Sequence, residues 1–165
     1  MQFTRFTDLG LRVAMQLAAE HIARSTDSST GHEKPSYRVT AATVSDAINA
    51  SHTHVAKVVS RLVELGVVRS TRGRTGGISL LDEALDFPLG NLVQALEGDQ
   101  NVLSTFRDDP LPIDENCRLV SVLARAQEDF YAQLNRLTIR DISIDNVAEL
   151  TGTGAQKPVR GRIGA

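Results

Sequence analysis

Apolar residues recur at three- and four-residue steps through Val55, Val58, Val59, Leu62 and Leu65, while Thr53, Lys57, Ser60, Arg61 and Glu64 fall on the opposite side. That period predicts an amphipathic helix. Ser51 stands where an N-cap belongs, its hydroxyl placed to accept a free N–H of the first turn. Gly66 stands where a left-handed residue ends a helix at little cost. Upstream, a shorter supporting helix is expected from Thr40 or Ala41 to about Ile48. Downstream, Val67-Val68 and Ile78-Ser79-Leu80 predict two short strands, joined through the glycine-rich tip Arg72-Gly73-Arg74-Thr75-Gly76-Gly77. Helix, turn, helix and hairpin in this order make a winged helix-turn-helix, which places one helix in a DNA groove and a basic loop beside it.

The remaining pattern adds three helices. Asp8 to Arg24 predicts the first, with Thr7 as its N-cap and Leu9, Val13 and Leu17 on one face. Residues 25–36 are polar with glycine and proline, a surface loop. Pro88 to Gly98 predicts a short helix stopped by glycine. After an irregular Asp- and Pro-rich stretch, Asn116 to about Leu137 predicts the longest helix, on the order of 33 Å. Along it Leu119, Leu123, Ala126, Phe130, Leu134 and Leu137 form a nearly heptad seam. Such a stripe needs cover, and a second copy of the chain is the expected partner. The fold class expected is mainly α, a winged helix-turn-helix with a small β-hairpin wing and a long C-terminal dimerisation helix. The expected organisation is a DNA-binding domain over 1–98, a sensor-type loop over 99–115, a dimerisation helix region over 116–150 and a disordered tail over 151–165.

Charge sharpens this picture. The net charge of −2 over 165 residues hides a division. Residues 1–50 are neutral, residues 51–80 carry +4, residues 81–150 carry −9 and residues 151–165 carry +3. The basic excess coincides with the expected recognition helix and wing, and the local field, not whole-chain charge, steers DNA. Cys117 is the only cysteine, which excludes a disulfide within one chain and a cysteine-rich zinc site. No apolar run is long enough to span a bilayer and no secretory signal opens the chain, so a cytoplasmic protein is expected.

Several stretches, in order, resemble the IscR/NsrR-type winged-helix repressors: the opening Met1-Gln2-Phe3-Thr4-Arg5-Phe6-Thr7-Asp8-Leu9-Gly10-Leu11-Arg12, then Ser51 to Val59, Arg69 to Leu80, Leu92 to Gly98 and Cys117-Arg118-Leu119. The similarity runs over about residues 1–140, and the His-x-x-Lys pattern at His54 and Lys57 is most similar to the nitric-oxide-sensing NsrR branch. The resemblance implies a homodimer that represses transcription from a partly palindromic operator. It also implies, for many members, an iron–sulfur cluster held by three cysteines in the loop before the long helix, with an acidic residue near the N-terminus completing the site in some. Cys117 matches the third cysteine and Asp8 the acidic residue, whereas Leu111 and Thr105 stand where the other thiolates belong. One thiolate and one carboxylate per chain are too few for a standard cluster held by one chain's cysteines. No resident cofactor is therefore the expectation, with Asp8 and Cys117 the only metal-ligand candidates. Three readings stay open: a degenerated site with another signal or none, Cys117 as a lone thiol switch, or a cluster with unusual ligands, including the second subunit's.

The residues expected at double-stranded operator DNA are Ser51, His52, Thr53, His54 and Lys57 around the N-terminal end of the recognition helix, with Arg61 further along and Arg72 and Arg74 on the wing. Thr53 and His54 are placed to read base edges, Lys57 and Arg61 to meet phosphates, and the wing arginines to enter or flank the minor groove. His52 and His54 are two apart and point in different directions on a helix, so they do not share a metal. No arrangement of catalytic type is persuasive, and no enzyme is expected. The alternative function is a regulator that binds a metabolic enzyme or another protein through the same fold, with weak DNA contact.

Overall fold

The computed structural model describes residues 3–27, 39–73, 76–98 and 118–143. Its elements are α1 (Arg5–Asp27), α2 (Ala41–Ala47), α3 (His52–Glu64), β1 (Val68–Thr71), β2 (Gly77–Leu80), a 3-10 turn (Asp82–Asp86), α4 (Leu89–Glu97) and α5 (Arg118–Leu134). Mainly helical with one two-stranded antiparallel sheet, this is the winged helix-turn-helix the sequence predicts.

α1 differs from expectation at both ends. It begins at Arg5, so Thr7 is a buried residue inside the first turn, and the Thr4 hydroxyl accepts the Thr7 N–H at 3.2 Å. The cause lies far along the chain: the Glu97 carboxylate accepts the Thr4 N–H at 2.9 Å and the Thr4 hydroxyl at 3.3 Å, fixing Thr4 as the residue that turns into the helix. At the other end α1 continues to Asp27, over the first residues expected as loop. It has 23 residues, against 17 in the described part of α5.

α2 starts in a capping box, with Thr40 and Thr43 each satisfying the other's backbone N–H. α3 buries Val55, Val58, Val59 and Leu62 against α1 and α2. Ser51 occupies its N-cap position, but the hydroxyl makes no capping bond, contrary to expectation. Gly66 adopts φ 69°, the left-handed conformation that lets the chain leave the helix and start β1. In the hairpin Val68 pairs with Leu80, and both point into the core. The Val39 carbonyl accepts the Ile78 N–H at 2.8 Å, so the segment before α2 borders the wing.

α4 lies between α1 and α5. It packs on α1 and on α5, and Leu92, Val93 and Leu96 are buried. The segment after α5 folds back beneath it: Leu89 N–H donates to the Leu137 carbonyl, and Ile139 N–H to the Phe87 carbonyl. Ile139 is thereby fully buried. α5 ends at Leu134, short of the expected Leu137, because Asn135 turns to meet Asn91 through a reciprocal pair of hydrogen bonds at 2.9 and 3.0 Å. The sensor-type loop, the tail and residues 116–117 and 144–150 of the expected dimerisation region lie outside the described residues.

Candidate nucleic-acid interface

The buried stripe of α3 fixes what its other side presents. Ser51, His52, Thr53 and His54 are all exposed around the first turn, as is Lys57 one turn later. Thr53, Lys57 and Ser60 succeed one another at helical spacing and form one outward row. Ser60 was absent from the expected contact set, although the same spacing signals it. His54 and Arg61, seven residues apart, fall on one flank of α3.

Arg61 is not directed outward. Its Nη1 donates to Glu64 Oε2 at 3.0 Å and its Nη2 to the Ala95 carbonyl at 3.2 Å. The guanidinium expected at a phosphate thus joins α3 to α4. The periodicity places Arg61 on the polar side correctly, but only the folded chain brings Ala95 within reach.

The wing stands beside α3. After Val68 the residues Arg69, Ser70 and Thr71 of β1 are exposed in succession, because the hairpin extends past the core, and Arg72 follows at its tip, also exposed. Arg74 lies outside the described residues. A groove of about 350 Å³ separates the wing from α3, with Ser60 on one wall and Ser70 and Thr71 on the other.

The expected dimer seam is divided. Leu134 and Phe130 lean on their own domain, Phe130 packing on Phe3 with ring centroids 6.0 Å apart. Tyr131, outside the seam, is the buried residue of α5 among those described. By contrast Leu119 and neighbouring Val122 are 52% and 55% exposed, Ala126 is exposed, and Leu123 is half-buried. Leu137 is exposed beyond the helix end.

The sequence profile of the Rrf2 family, described as an iron-dependent transcriptional regulator, matches residues 3–145. The chain belongs to the Rrf2 family. It is 39% identical over 142 residues to the HTH-type transcriptional repressor NsrR of Streptomyces coelicolor, covering 86% of this chain and 88% of that protein. It is 32% identical over 144 residues to the HTH-type transcriptional regulator NsrR of Bacillus subtilis, covering 86% and 90%. Among solved structures, CymR, the global cysteine regulator of B. subtilis, superposes with a TM-score of 0.59 at 19% identity, covering 87% of this chain and 96% of that one. IscR of T. potens superposes with a TM-score of 0.59 at 20% identity, covering 86% and 85%. This Rrf2 chain is a transcriptional regulator similar to NsrR, and its winged fold is that of the family.

The family description implies iron. The donors of this chain do not fit a cluster held by the cysteines of one chain, since the sequence contains a single thiol. Its bearer, Cys117, lies outside the described residues. Asp8, the matching carboxylate, is half-exposed and receives Arg12 Nε on both oxygens at 3.1 Å. Among the described residues no three His, Cys, Asp or Glu side chains converge to hold a metal ion, and no helix is long and apolar enough to cross a membrane.

Proposed function

We propose that this Rrf2 protein is a homodimeric repressor that binds a partly palindromic operator, with α3 in the major groove and the wing in the adjacent minor groove. The observation that carries the reading is the outward row of Thr53 and Lys57 beside an exposed wing bearing Arg69 and Arg72. Thr53 and His54 read base edges, and Ser51 and His52 support them at the helix start. Lys57 meets a phosphate. Arg72 and Arg74 enter or flank the minor groove, whose negative potential attracts arginine. Arg61, hydrogen-bonded to Ala95 and Glu64, ties α3 to α4.

Residues 1–98 are the DNA-binding domain in this reading, 99–115 the sensor-type loop and 116–150 the region that pairs two copies. The exposed Leu119 and Val122 support that pairing. Nitric oxide and redox state are the signals to test, with Cys117 as the residue to test them on: operator affinity is compared with and without a nitric-oxide donor in the wild type and in Cys117→Ser.

Fluorescence anisotropy with the DNA upstream of the protein's own gene, at several salt concentrations, tests the core of the proposal. Preferential binding over an unrelated duplex, weakening as salt rises, is the expected result. Equal, weak affinity for both duplexes would overturn it and favour a protein partner.

A further inference from the structure

The outward row of α3 carries one amine. Lys57 is the single lysine among the described residues, and the sequence holds two others, Lys34 and Lys157. The remaining cations between residues 51 and 80 are Arg61, Arg69, Arg72 and Arg74. A guanidinium stays charged, whereas a lysine that sheds its proton becomes an amine able to attack a carbonyl carbon. Lys57 is exposed, and its side chain makes no hydrogen bond or ion pair with a described residue. Glu64, further along the same helix, is engaged by Arg61 at 3.0 Å. His54 stands three residues before Lys57, the spacing at which side chains are neighbours on a helix surface. Its imidazole is likewise exposed and unengaged. A free amine and a free imidazole thus occupy neighbouring positions, and the imidazole can take the proton that the amine loses.

The surrounding charge selects the reagent. Residues 51–80 carry +4 in a chain whose net charge is −2, so this region concentrates anions. An acyl phosphate joins an activated carbonyl carbon to such an anion. We propose that Lys57 is an acylation site, modified at Nζ by an acyl phosphate, and that the modification releases operator DNA. One proton leaves the ammonium through His54 to water. The freed Nζ lone pair attacks the acyl carbonyl carbon. The bond from that carbon to the phosphate oxygen breaks, and inorganic phosphate leaves with the bonding pair and the second proton lost by Nζ. The product is a neutral amide where a cation stood. The release of DNA rests on the DNA-binding reading proposed above, because an amide displaces no counterion from a phosphate. The acylation itself does not rest on it.

The test treats the full chain with acetyl phosphate and follows Lys34, Lys57 and Lys157 by mass spectrometry. Lys57 should gain an acetyl group faster than the other two, and His54→Gln should remove that advantage. A duplex that the wild type selects from a random pool should protect Lys57 and leave Lys34 and Lys157 reactive. The acetylated protein should bind that duplex about 10-fold more weakly, the worth of a hydrogen bond to a charged group. Its log–log salt slope should be lower by about one unit. Lys57→Gln should show the same lowered slope and, like Lys57→Arg, should lose no affinity on treatment. Lys57 is exposed, so an unchanged melting curve checks that the acetylated protein is folded. Equal rates at the three lysines overturn the acylation site. An acetylated Lys57 with undiminished affinity and slope overturns the release of DNA. A wild type that selects no duplex overturns the DNA-binding reading, while the modification rates still decide the site.

Discussion

Arg61 Nη2 donates to the carbonyl oxygen of Ala95 at 3.2 Å, tying the exposed α3 to the buried α4. The same α4 holds the start of α1 through Glu97 and Thr4. The recognition helix, packed on α1 and α2, is thus also tied to a helix that contacts no DNA in the proposed complex. Arg61→Ala is therefore expected to weaken operator binding without changing its salt slope. Lys57→Ala, which removes a phosphate contact, should lower the slope by about one unit. Anisotropy titrations at several salt concentrations separate the two, and a slope loss of about one for Arg61→Ala would return that residue to the phosphates.

Arg72 and Arg74 belong to a different class of contact. Each substitution by alanine should weaken binding to all duplexes and reduce the salt slope by about one unit. A variant with unchanged affinity and slope would remove its arginine from the proposed interface.

Gly90 sits where α4 crosses the end of α5. A Cβ there would meet the Tyr131 carbonyl oxygen, which belongs to backbone and does not yield, and Asn135 Oδ1 at 2.6 Å. Gly90→Ala should therefore cost about 1–3 kcal/mol, the usual range for overpacking a tight contact. Urea unfolding measures it, and a midpoint equal to the wild type would show that the two helices separate freely.

What the sequence made legible divides along a physical line. The four buried positions of α3 alternate with polar ones inside thirteen residues, so both its existence and its inward face were readable. Gly66 and the hairpin are local in the same sense. The N-terminus of α1 was not, because Thr4 and Thr7 are each acceptable caps locally and Glu97, ninety-three positions away, decides between them. Arg61 lies on the polar face that its spacing predicts, but nothing near it in the sequence signals the Ala95 carbonyl its guanidinium reaches. The seam of α5 counted every apolar residue at heptad spacing as one surface. In the fold Tyr131 and Leu134 pack on the same chain near the end of the helix, while Leu119 and Val122 near its start stay exposed. The groove between α3 and the wing exists only after β1 folds back beside α3, which no local spacing encodes.

The turn after α5 carries a pH dependence. Asp141 accepts the Thr138 N–H at 2.7 Å and the Thr138 hydroxyl at 2.8 Å, and these bonds hold its carboxyl below the usual range. A carboxyl lowered in the folded state stabilises it fully above the unfolded pKa, and that stabilisation is lost as pH falls through the folded value. Asp141→Asn should thus lower the urea midpoint near neutrality, and the gap to the wild type should close in strong acid. A gap that widens on acidification would contradict the assignment. The group is solvent-facing, so a small effect is expected.

The pairing of two chains is best tested at Val122. Phe130 is central to the heptad pattern, but it also packs on Phe3 and against Tyr131, so a charge there would disturb the protomer itself. Val122 is 55% exposed and Leu119 52%, one turn away on the same apolar flank. A glutamate at either position leaves the described core untouched and sets like charges against each other across a two-fold interface. Val122→Glu is therefore expected to retain wild-type circular dichroism and melting while sedimenting as a monomer. It should also lose most of its affinity for a full operator, because the two half-sites are no longer bound by one particle. A Val122→Glu protein that remains dimeric would place the interface elsewhere, and Leu119→Glu measured alongside would show whether the whole exposed flank is free of it.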